Sequence, residues 1–526
     1  MGLLRRITKG AAFGRPRPFI DHPGAKLLRV GRGEYIDLNT AYRGGFLGVG
    51  TTGSGKTSAL VKSLLLSSAA MGHGILFLSP SDETELIAEV ACRTGRADDL
   101  LLFDDSGFLR LDLADYALCR DGSDTSSKDV AELLTKVGDA IHRFKKNAAQ
   151  GEAFWLTGKR RHLDMSIQAL ACAYGRISIP IINKMIEHAP RPEDDVHNPQ
   201  WASQNFVART LHACRHTPVR PLPEDELIQL ENYFFRSFRF LADRTRSGVE
   251  AEVQNTLYPF LSGTAKTLFA SGVTTICPEM LLQGAIIHVQ LPLHRCGETG
   301  IIAATTWKLL TQQMLLRRDV QQHPRPVSLV IDELQYYLDR EVDPLFAAVC
   351  RKQRVIQCLA TQNLPLISEA MGGANAEQAM RAYIGNIAHK FFFSQNDGYT
   401  NRVIADELVG KARQRRTTFT DGESEQNSAS TNWGRGSSNG GFFPSDAPAT
   451  FSSNSGNSKG SSAGWNSSTA TTEVVENLIQ TGELSSLMRT GGPGNGFLVD
   501  ALYHTDGRRF ARTGRSWCMT TFSQRV

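Results

Sequence analysis

The chain has 526 residues, of which 41% are hydrophobic and 21% charged, and its formal net charge is +5. This length and hydrophobic content allow more than one buried core and predict about three domains. The small net charge excludes a uniformly basic nucleic-acid coat, so any DNA contact must come from local clusters. The nine cysteines are scattered and lack paired spacing, which favours a reducing cytoplasm over a disulfide framework or a zinc ribbon.

The amino-terminal segment, residues 1–34, is basic at its start and lacks the apolar core of a secretory signal. Its composition leaves open both a solvated tail and a transient contact with acidic lipid or nucleic acid. No stretch of the chain approaches the roughly 18 uninterrupted apolar residues that a membrane-spanning helix needs. We therefore expect a protein without a membrane span, peripheral to a membrane at most.

An octapeptide near the start of the chain has the pattern of a P-loop. It follows the apolar run Phe46–Val49, precedes the helix-forming stretch Ser58–Ser68, and reads Gly50-Thr51-Thr52-Gly53-Ser54-Gly55-Lys56-Thr57. Glycines let backbone N–H groups surround a phosphate chain, and Lys56 adds a positive charge between the outer phosphates. The Thr57 hydroxyl can ligate Mg²⁺. The pattern predicts a nucleoside triphosphate site.

A dinucleotide-binding turn is the competing interpretation, because Gly48–Gly53 has the spacing GxGxxG. Such a turn has no use for Lys56 and Thr57. The acidic residue expected about 20 positions further on is also missing, since Ala69–Leu78 contains none. The P-loop is therefore the favoured interpretation.

Apolar runs with strand character alternate with helix-like segments along much of the chain. The runs are Phe46–Val49, Ile75–Leu78, Leu100–Phe103, Ala285–Leu291, Val327–Ile331, Val355–Ala360 and Lys390–Phe393. Near-continuous apolar strands of this kind indicate an α/β fold, in which a largely parallel sheet is covered by helices on both faces.

Between residues 111 and 282 the strand pattern fades and helical periodicity dominates. The clearest helices are Asp129–His142, Gly158–Ala173 and Leu227–Ala242. We predict a mostly helical domain over residues 111–282, inserted into a nucleotide-binding core made of residues 35–110 and 283–412.

A second chemical element is the apolar strand Val327–Ile331, which ends in Asp332 and Glu333 and resembles a Walker B strand. An acid at the carboxyl end of a parallel strand beside a P-loop can hold Mg²⁺ through water, and a second acid can activate the attacking water. Asp332 suits the metal role and Glu333 the role of the base. An ordinary strand followed by a helix with acids in its first turn is the alternative.

Two further candidates flank the next predicted strand, Val355–Ala360. Gln362, at its end, could contact the γ-phosphate or the attacking water and so report hydrolysis, although a strand-end glutamine is often only a turn residue. Arg351, just before the strand, is a candidate arginine finger that would act across a subunit interface. A solvated helix residue is the simpler interpretation of Arg351.

Together these motifs resemble the FtsK/HerA superfamily of hexameric DNA motors, and within it the conjugative coupling proteins of type IV secretion systems, the TraD, TraG and VirD4 group. The stretches that carry the resemblance are GTTGSGKT at Gly50, VIDELQYY at Val330, CRKQRVIQCLATQNLPLI at Cys350 and GNIAHKFFFSQNDGYTNRVIADELVG at Gly385. The resemblance implies a RecA-like P-loop NTPase core with an inserted all-α domain, ATP and Mg²⁺ as cofactors, and a homo-hexamer. It also supports Arg351 as the finger and Gln362 as the sensor, because their spacing from Asp332 and Glu333 is similar to that of the family.

The resemblance gives the helical insertion a role in engaging substrate. It contains Phe154-Trp155, similar to a pair in the coupling proteins, followed by Lys159-Arg160-Arg161 and preceded by the basic stretch at 142–146. Cationic residues interleaved with aromatic ones suit a DNA backbone. A solvated helix face is the simpler interpretation of the same residues.

The chain departs from the coupling-protein pattern at its ends. The family's amino-terminal transmembrane helices are absent, which predicts a cytoplasmic protein or one attached peripherally to the cytoplasmic face of the inner membrane. Residues 413–473 are rich in Ser, Gly and Asn and predict a disordered linker. Beyond them, residues 474–526 contain Asp506-Gly507 between two apolar stretches, which predicts a hairpin that packs on the core.

The function that these observations predict is an ATP-driven DNA motor, a coupling protein that recruits and pumps DNA. Its expected partners are DNA, a relaxase or relaxosome, and secretion-channel proteins. A related VirB4-like secretion ATPase that acts on protein, and a nucleotide-gated adaptor with little turnover, are the alternatives.

Overall fold

A computed structural model describes residues 18–119, 126–144, 153–424, 464–511 and 513–525. Residues 1–17 of the basic segment and residues 425–463 of the predicted linker lie outside the described residues. The chain divides into two compact units, one formed by Met1–Thr400 with Leu484–Val526 and the other by Asn401–Glu483.

The strands of the described chain all lie before residue 105 or after residue 285. In chain order they are β1 Lys26–Gly31, β2 Glu34–Asp37, β3 Phe46–Val49, β4 Gly74–Leu78, β5 Leu100–Asp104, β6 Ile286–Gln290, β7 Val327–Ile331, β8 Val355–Thr361, β9 His389–Phe392, β10 Lys411–Ser424, β11 Gly464–Asn477, β12 Leu498–Thr505 and β13 Trp517–Ser523. Each apolar run predicted as a strand therefore forms one.

The larger unit is built on a nine-stranded sheet of order β13-β12-β9-β3-β8-β7-β4-β6-β5. The strands from β9 to β5 are parallel, whereas β12 and β13 add an antiparallel edge. Every residue of β3, β4, β7 and β8 is buried, which explains why these strands read as continuous apolar runs.

The order of the strands brings three functional segments to one edge of the sheet. β3 lies beside β8, and β8 lies beside β7, all three in parallel. Their carboxyl ends are therefore neighbours, and the segments that follow them are the P-loop, Gln362 and Asp332. Ligands of open parallel sheets bind outside such carboxyl ends.

A further set of helices lies before β5 and after β6. They are Leu38–Ala41, Lys62–Ala70, Thr84–Arg93, Leu293–Cys296, Glu298–Arg317, Val342–Val349, Leu364–Met371, Ala376–Gly385, Gly398–Arg402 and Glu483–Ser486. A π-helical turn, Thr57–Val61, precedes Lys62–Ala70, and another, Val403–Val409, follows Gly398–Arg402. Short 3₁₀ turns are Ala97–Asp99, Leu334–Tyr336, Cys350–Gln353 and Pro493–Asn495.

The interval between β5 and β6 is helical in all its described elements. Its helices are Leu113–Cys119, Ser127–Phe144, Ala153–Tyr174, Ile179–Glu187, Pro199–Gln204, Phe206–His216, Glu224–Asn232, Asp243–Leu257, Gly263–Phe269 and Met280–Gln283, with turns at Tyr233–Ser237 and Tyr258–Phe260. The predicted helix over Leu227–Ala242 instead begins at Glu224 and gives way to a π-helical turn at Tyr233. There Tyr233, Phe234 and Phe238 pack around His162, so ring packing overrides the regular helical repeat.

Among the described residues, no single helix is both long enough and apolar enough to cross a membrane. Thr157–Tyr174 and Ile179–Glu187 meet the criteria of length and composition only when taken together, and they are bent by 113°.

The smaller unit contains a long antiparallel ribbon where the sequence predicts a disordered linker. β10 and β11 pair from Lys411↔Asn477 to Ser424↔Gly464, so both ends of the predicted linker form strand. Composition measures the capacity to bury apolar surface, whereas a two-stranded ribbon rich in threonine can pair its backbone groups without a core. The structure differs from the prediction for this reason.

The carboxyl-terminal hairpin extends the main sheet. β12 and β13 pair from Leu498↔Ser523 to His504↔Trp517, and β12 also pairs with β9. The second strand starts at Trp517, so the connection is longer than the tight turn that Asp506-Gly507 alone predicts.

Candidate nucleotide-binding site

The P-loop leaves β3 and turns sharply into the helix that begins at Thr57. Gly53 and Gly55 have φ values of +78° and +89°, a backbone conformation that side chains with a Cβ rarely adopt. These turns explain why glycine stands at both positions. They place the loop at a helix amino terminus, where free backbone N–H groups and the helix dipole favour an anion such as phosphate.

Lys56 points back into the loop and is only 5% exposed. Its Nζ atom donates to the carbonyl oxygens of Gly50 at 2.6 Å and Thr51 at 3.2 Å, and lies 3.9 Å from Oε1 of Glu333. Burial lowers the pKa of Lys56, while the charges of Glu333 and Asp332 act in the opposite direction. A cation is therefore held inside the loop where phosphate oxygens would bind.

Thr57 and Asp332 face each other across the cleft. The Thr57 hydroxyl donates to Oδ2 of Asp332 at 2.8 Å. Burial raises the pKa of Asp332, and this hydrogen bond partly offsets the rise. Hydroxyl and carboxylate oxygens suit Mg²⁺, which in nucleotide sites is held by one or two protein ligands together with phosphate oxygens and water. The pair fits that role.

Glu333 has an unusual backbone conformation, with φ 50° and ψ 58°, in the left-handed region. Such strain costs about 1–3 kcal/mol and occurs often at functional sites. The side chain is held by Gln335, whose Nε2 donates to Oε2 of Glu333 at 2.8 Å. Gln335 in turn accepts the Thr361 hydroxyl at 2.9 Å. Sequence reasoning missed Gln335, although its position two residues after the acid was visible.

Gln362 lies beside this network because it directly follows β8. The carbonyl oxygen of its neighbour Thr361 accepts from the N–H of Gly50 at 3.2 Å. The Gln362 carbonyl itself accepts from Nε2 of Gln395 at 2.7 Å. The carboxyl end of β8 is thus tied to the P-loop, and Gln362 is tied to the segment after β9.

A cleft of about 520 Å³ opens beside the P-loop, and Gln362 is not among the residues that line it. Its lining includes Lys56, Thr57, Asp332 and Glu333, and also residues that sequence reasoning did not assign, namely Glu83, Thr490 and Gln524. The first follows β4 and the other two come from the end of the chain. No local sequence pattern marks them, because only the sheet brings them to the P-loop.

Comparison with known proteins gives the fold a context. Residues 326–440 match the family model described as the TraM recognition site of TraD and TraG. The solved structure of the unbound bacterial conjugative coupling protein TrwBdeltaN70 superposes with a TM-score of 0.57 at 10% identity, over 100% of this chain and 93% of that one. This chain has the fold of a conjugative coupling protein.

Two further structures of TrwB share this coupling-protein fold. The complex with the non-hydrolysable ATP analogue ADPNP matches with a TM-score of 0.57 at 11% identity, and the complex with ADP and Mg²⁺ with 0.54 at 12%. Both comparisons cover 100% of this chain, and 94% and 93% of the respective TrwB chains. No curated protein matches the chain in sequence. The predicted α/β P-loop fold and the resemblance to coupling proteins are confirmed.

Arg351 is not brought to the cleft of its own chain. It lies in the 3₁₀ turn Cys350–Gln353, before the amino end of β8, whereas the cleft lies at the carboxyl end of the same strand. A strand of this length separates the two ends by about 20 Å. The Arg351 side chain is exposed.

The basic cluster of the helical insertion divides between two environments. Lys159 is 1% exposed, and its Nζ lies 3.1 Å from Asp139 and 3.8 Å from Glu252, so it links helices rather than facing solvent. Arg160 is exposed, and the Arg161 guanidinium lies over the ring of Tyr233. The side chains of Phe154, Trp155 and residues 142–146 lie outside the described residues.

Glu83 adds a third acid to the cleft. It is half-buried after β4, and burial, followed by the charges of Asp332 and Asp82, raises its pKa from 4.5 to about 7. A carboxyl group with such a raised pKa is mostly protonated below neutral pH. Glu83 therefore adds negative charge to the free cleft mainly above pH 7.

The Glu83→Gln variant is expected to be more stable than the wild type at pH 8 and equally stable at pH 4.5. The folded state binds the Glu83 proton more tightly than the unfolded state, so ionisation destabilises the protein as pH rises from about 4.5 to about 7. We expect a difference of about 1 kcal/mol, after allowance for solvent screening of a half-buried group. Urea unfolding at the two pH values measures it.

The matched control is Glu193→Gln, an exposed acid in a turn of the helical interval between β5 and β6. It should leave the free energy of unfolding unchanged at both pH values. Equal stability of wild type and Glu83→Gln at pH 8 would show that the Glu83 carboxylate is not destabilised in the cleft.

Proposed function

We propose that the chain is the ATPase of a conjugative-transfer system, a coupling protein that hydrolyses ATP to recruit and pump DNA. The observation that carries the proposal is the convergence of Lys56, Thr57, Asp332 and Glu333 at one cleft, from segments 275 residues apart in sequence. The coupling-protein fold supports it, as do the TrwB structures that contain an ATP analogue or ADP with Mg²⁺.

In the proposed reaction, the P-loop N–H groups and Lys56 bind the phosphates. Lys56 would exchange its bonds to the Gly50 and Thr51 carbonyls for bonds to the outer phosphates. Thr57 and Asp332 would hold Mg²⁺, which supplies positive charge against the phosphate oxygens. Glu333 would accept a proton from the attacking water. The water oxygen bonds to the γ-phosphorus, and the bond from that phosphorus to the β–γ bridging oxygen breaks. The products are ADP and phosphate.

Two further roles belong to this proposal. Arg351 would enter the cleft of a neighbouring subunit in a homo-hexamer, where it stabilises the charge of the transition state. Arg351 is exposed and lies at the amino end of β8, away from the cleft of its own chain, and this position supports a role between subunits. Gln362 would sense loss of the γ-phosphate, and the contact from Thr361 through Gln335 to Glu333 offers a route by which β8 responds.

The proposed partners follow from the same assignment. The match to the TraM recognition site of TraD and TraG supports an interaction with a relaxosome component. We propose DNA, the relaxase and secretion-channel proteins as the other partners, with residues 111–282 as the domain that engages substrate. The proposed location is the cytoplasm, with docking at the cytoplasmic face of the inner membrane.

DNA is expected to raise the ATPase rate of the full chain severalfold, because a translocase couples turnover to movement along its track. Phosphate release should be measured without nucleic acid, with single-stranded DNA and with double-stranded DNA of equal length, at fixed ionic strength because DNA binding depends on salt. The polyanion heparin controls for charge alone and should not reproduce the increase.

An ATPase rate that neither DNA changes would overturn the DNA-motor proposal. Turnover raised instead by protein components of the secretion machine would support the VirB4-like alternative. Tight ATP binding with negligible turnover under every condition would support the adaptor.

A further inference from the structure

The end of the chain forms one wall of the nucleotide cleft. Gln524, directly after β13, donates from Nε2 to the Ser58 hydroxyl at 2.7 Å. Its Oε1 accepts from the N–H of Gly492 at 2.7 Å, and its backbone N–H donates to the Phe497 carbonyl at 2.9 Å. The carboxamide is thus held between the P-loop helix and the loop before β12, and it lines the cleft together with Thr490.

The hairpin is fitted closely to the P-loop. A Cβ atom at Gly55 would lie 2.7 Å from Cγ2 of Val499 in β12 and 3.3 Å from the carbonyl oxygen of Thr490. Because Val499 is fully buried, the hairpin would have to move to admit a side chain at Gly55. This contact fixes the position of Thr490 and Gln524 relative to the P-loop.

Strand order decides which part of a nucleotide this wall would meet. The P-loop follows β3, with β8 and β7 on one side and β9, β12 and β13 on the other. Asp332 and Glu333, which the proposed function places at the γ-phosphate, follow β7. A phosphate chain bound in the loop with its γ-phosphate at these acids would run away from them, so its nucleoside would lie on the side of β12 and β13. Ser58, one residue beyond Thr57, already contacts that side through Gln524.

We propose that Gln524 and Thr490 form the binding site for the nucleoside part of the nucleotide. A carboxamide both donates and accepts, and a hydroxyl does the same, which suits the hydroxyl groups of a ribose and the edge of a base. Nucleotide binding would replace the bond from Gln524 to Ser58. The carboxyl-terminal hairpin therefore binds the nucleoside, while the P-loop binds the phosphates. This inference rests on the proposed ATPase function.

The test is Gln524→Ala in the full chain. It should raise the KM for ATP about five- to tenfold, the usual effect of losing one or two hydrogen bonds, with kcat unchanged. The inhibition constant of inorganic tripolyphosphate with Mg²⁺ should stay within about twofold of the wild-type value, because that probe has no nucleoside. A purely structural role for Gln524 would weaken both ligands equally.

Two companion variants sharpen the result. Gln524→Met keeps the length of the side chain but cannot make the hydrogen bonds, so it should raise the KM for ATP as Gln524→Ala does, without removing side-chain volume from the hairpin. Ser523→Ala, the preceding residue, is the control and should leave both constants unchanged. An unchanged KM for ATP in Gln524→Met would overturn the inference. An equal rise in the inhibition constant of tripolyphosphate would overturn it as well.

The outcome is separable from that of the proposed function. If Lys56→Ala abolishes turnover while the Gln524 variants behave as wild type, only the nucleoside site is wrong. If Lys56→Ala retains full turnover, the ATPase site itself is wrong.

Discussion

Replacing Lys56 with alanine is expected to lower ATP hydrolysis by about 10²- to 10³-fold. The Lys56 ammonium lies inside the P-loop, within hydrogen-bond distance of two loop carbonyls and 3.9 Å from Glu333. Phosphoryl transfer depends mainly on positioning and on charge stabilisation, and one preorganised donor contributes an effect of this size. Steady-state phosphate release measures it.

The control for this variant is Lys184→Ala, which removes an exposed lysine from the helix Ile179–Glu187 of the insertion. Its turnover should equal that of the wild type. Because alanine at position 56 removes a buried charge, thermal unfolding of both variants is measured as well. Both should unfold cooperatively, which would show that the core is intact. Turnover of Lys56→Ala within twofold of wild type would refute the nucleotide site.

The Glu333→Gln variant is expected to bind ATP normally while its kcat falls by about 10²- to 10⁴-fold. A carboxamide has nearly the same size and can still accept the hydrogen bond from Gln335, but it cannot take a proton from water. The backbone strain at position 333 is unaffected because the substitution changes only the end of the side chain.

Two measurements separate binding from chemistry. Titration with a fluorescent ATP analogue should give a Kd within about threefold of wild type, and single-turnover phosphate release should show the loss in rate. Glu341→Gln, an exposed acid eight residues further on, is the matched control and should change neither. Normal single-turnover chemistry in Glu333→Gln would remove Glu333 from the role of base.

The strands and the two Walker segments could be predicted from sequence because their patterns are local. Val327–Ile331 is buried on both faces, so every residue is apolar or small, and the acids that follow stand out against it. The P-loop is similar, since its glycines adopt turns that other residues avoid. Each pattern needs only neighbours in sequence to be seen.

Other parts of the site could not be predicted in this way. Glu83 and Gln524 reach the cleft only because β4 and β13 belong to the same sheet as β3. Gln335 lies in the turn after β7 and is held by the Thr361 hydroxyl, which comes from β8. The ribbon of β10 and β11 has the composition of a linker, because composition records apolar content and does not record backbone pairing.

The amino-acid sequence by itself determined the α/β class, the glycine-rich loop after β3 and the pair of acids after β7. Periodicity and turn chemistry follow from the residues themselves. The tertiary structure decided which side chains share the cleft. It placed Arg351 at the amino end of β8, opposite the cleft, and it packed the carboxyl-terminal hairpin against the P-loop. Strand order is the physical reason, because it depends on which strands pair across long sequence separations, and no local pattern specifies that choice.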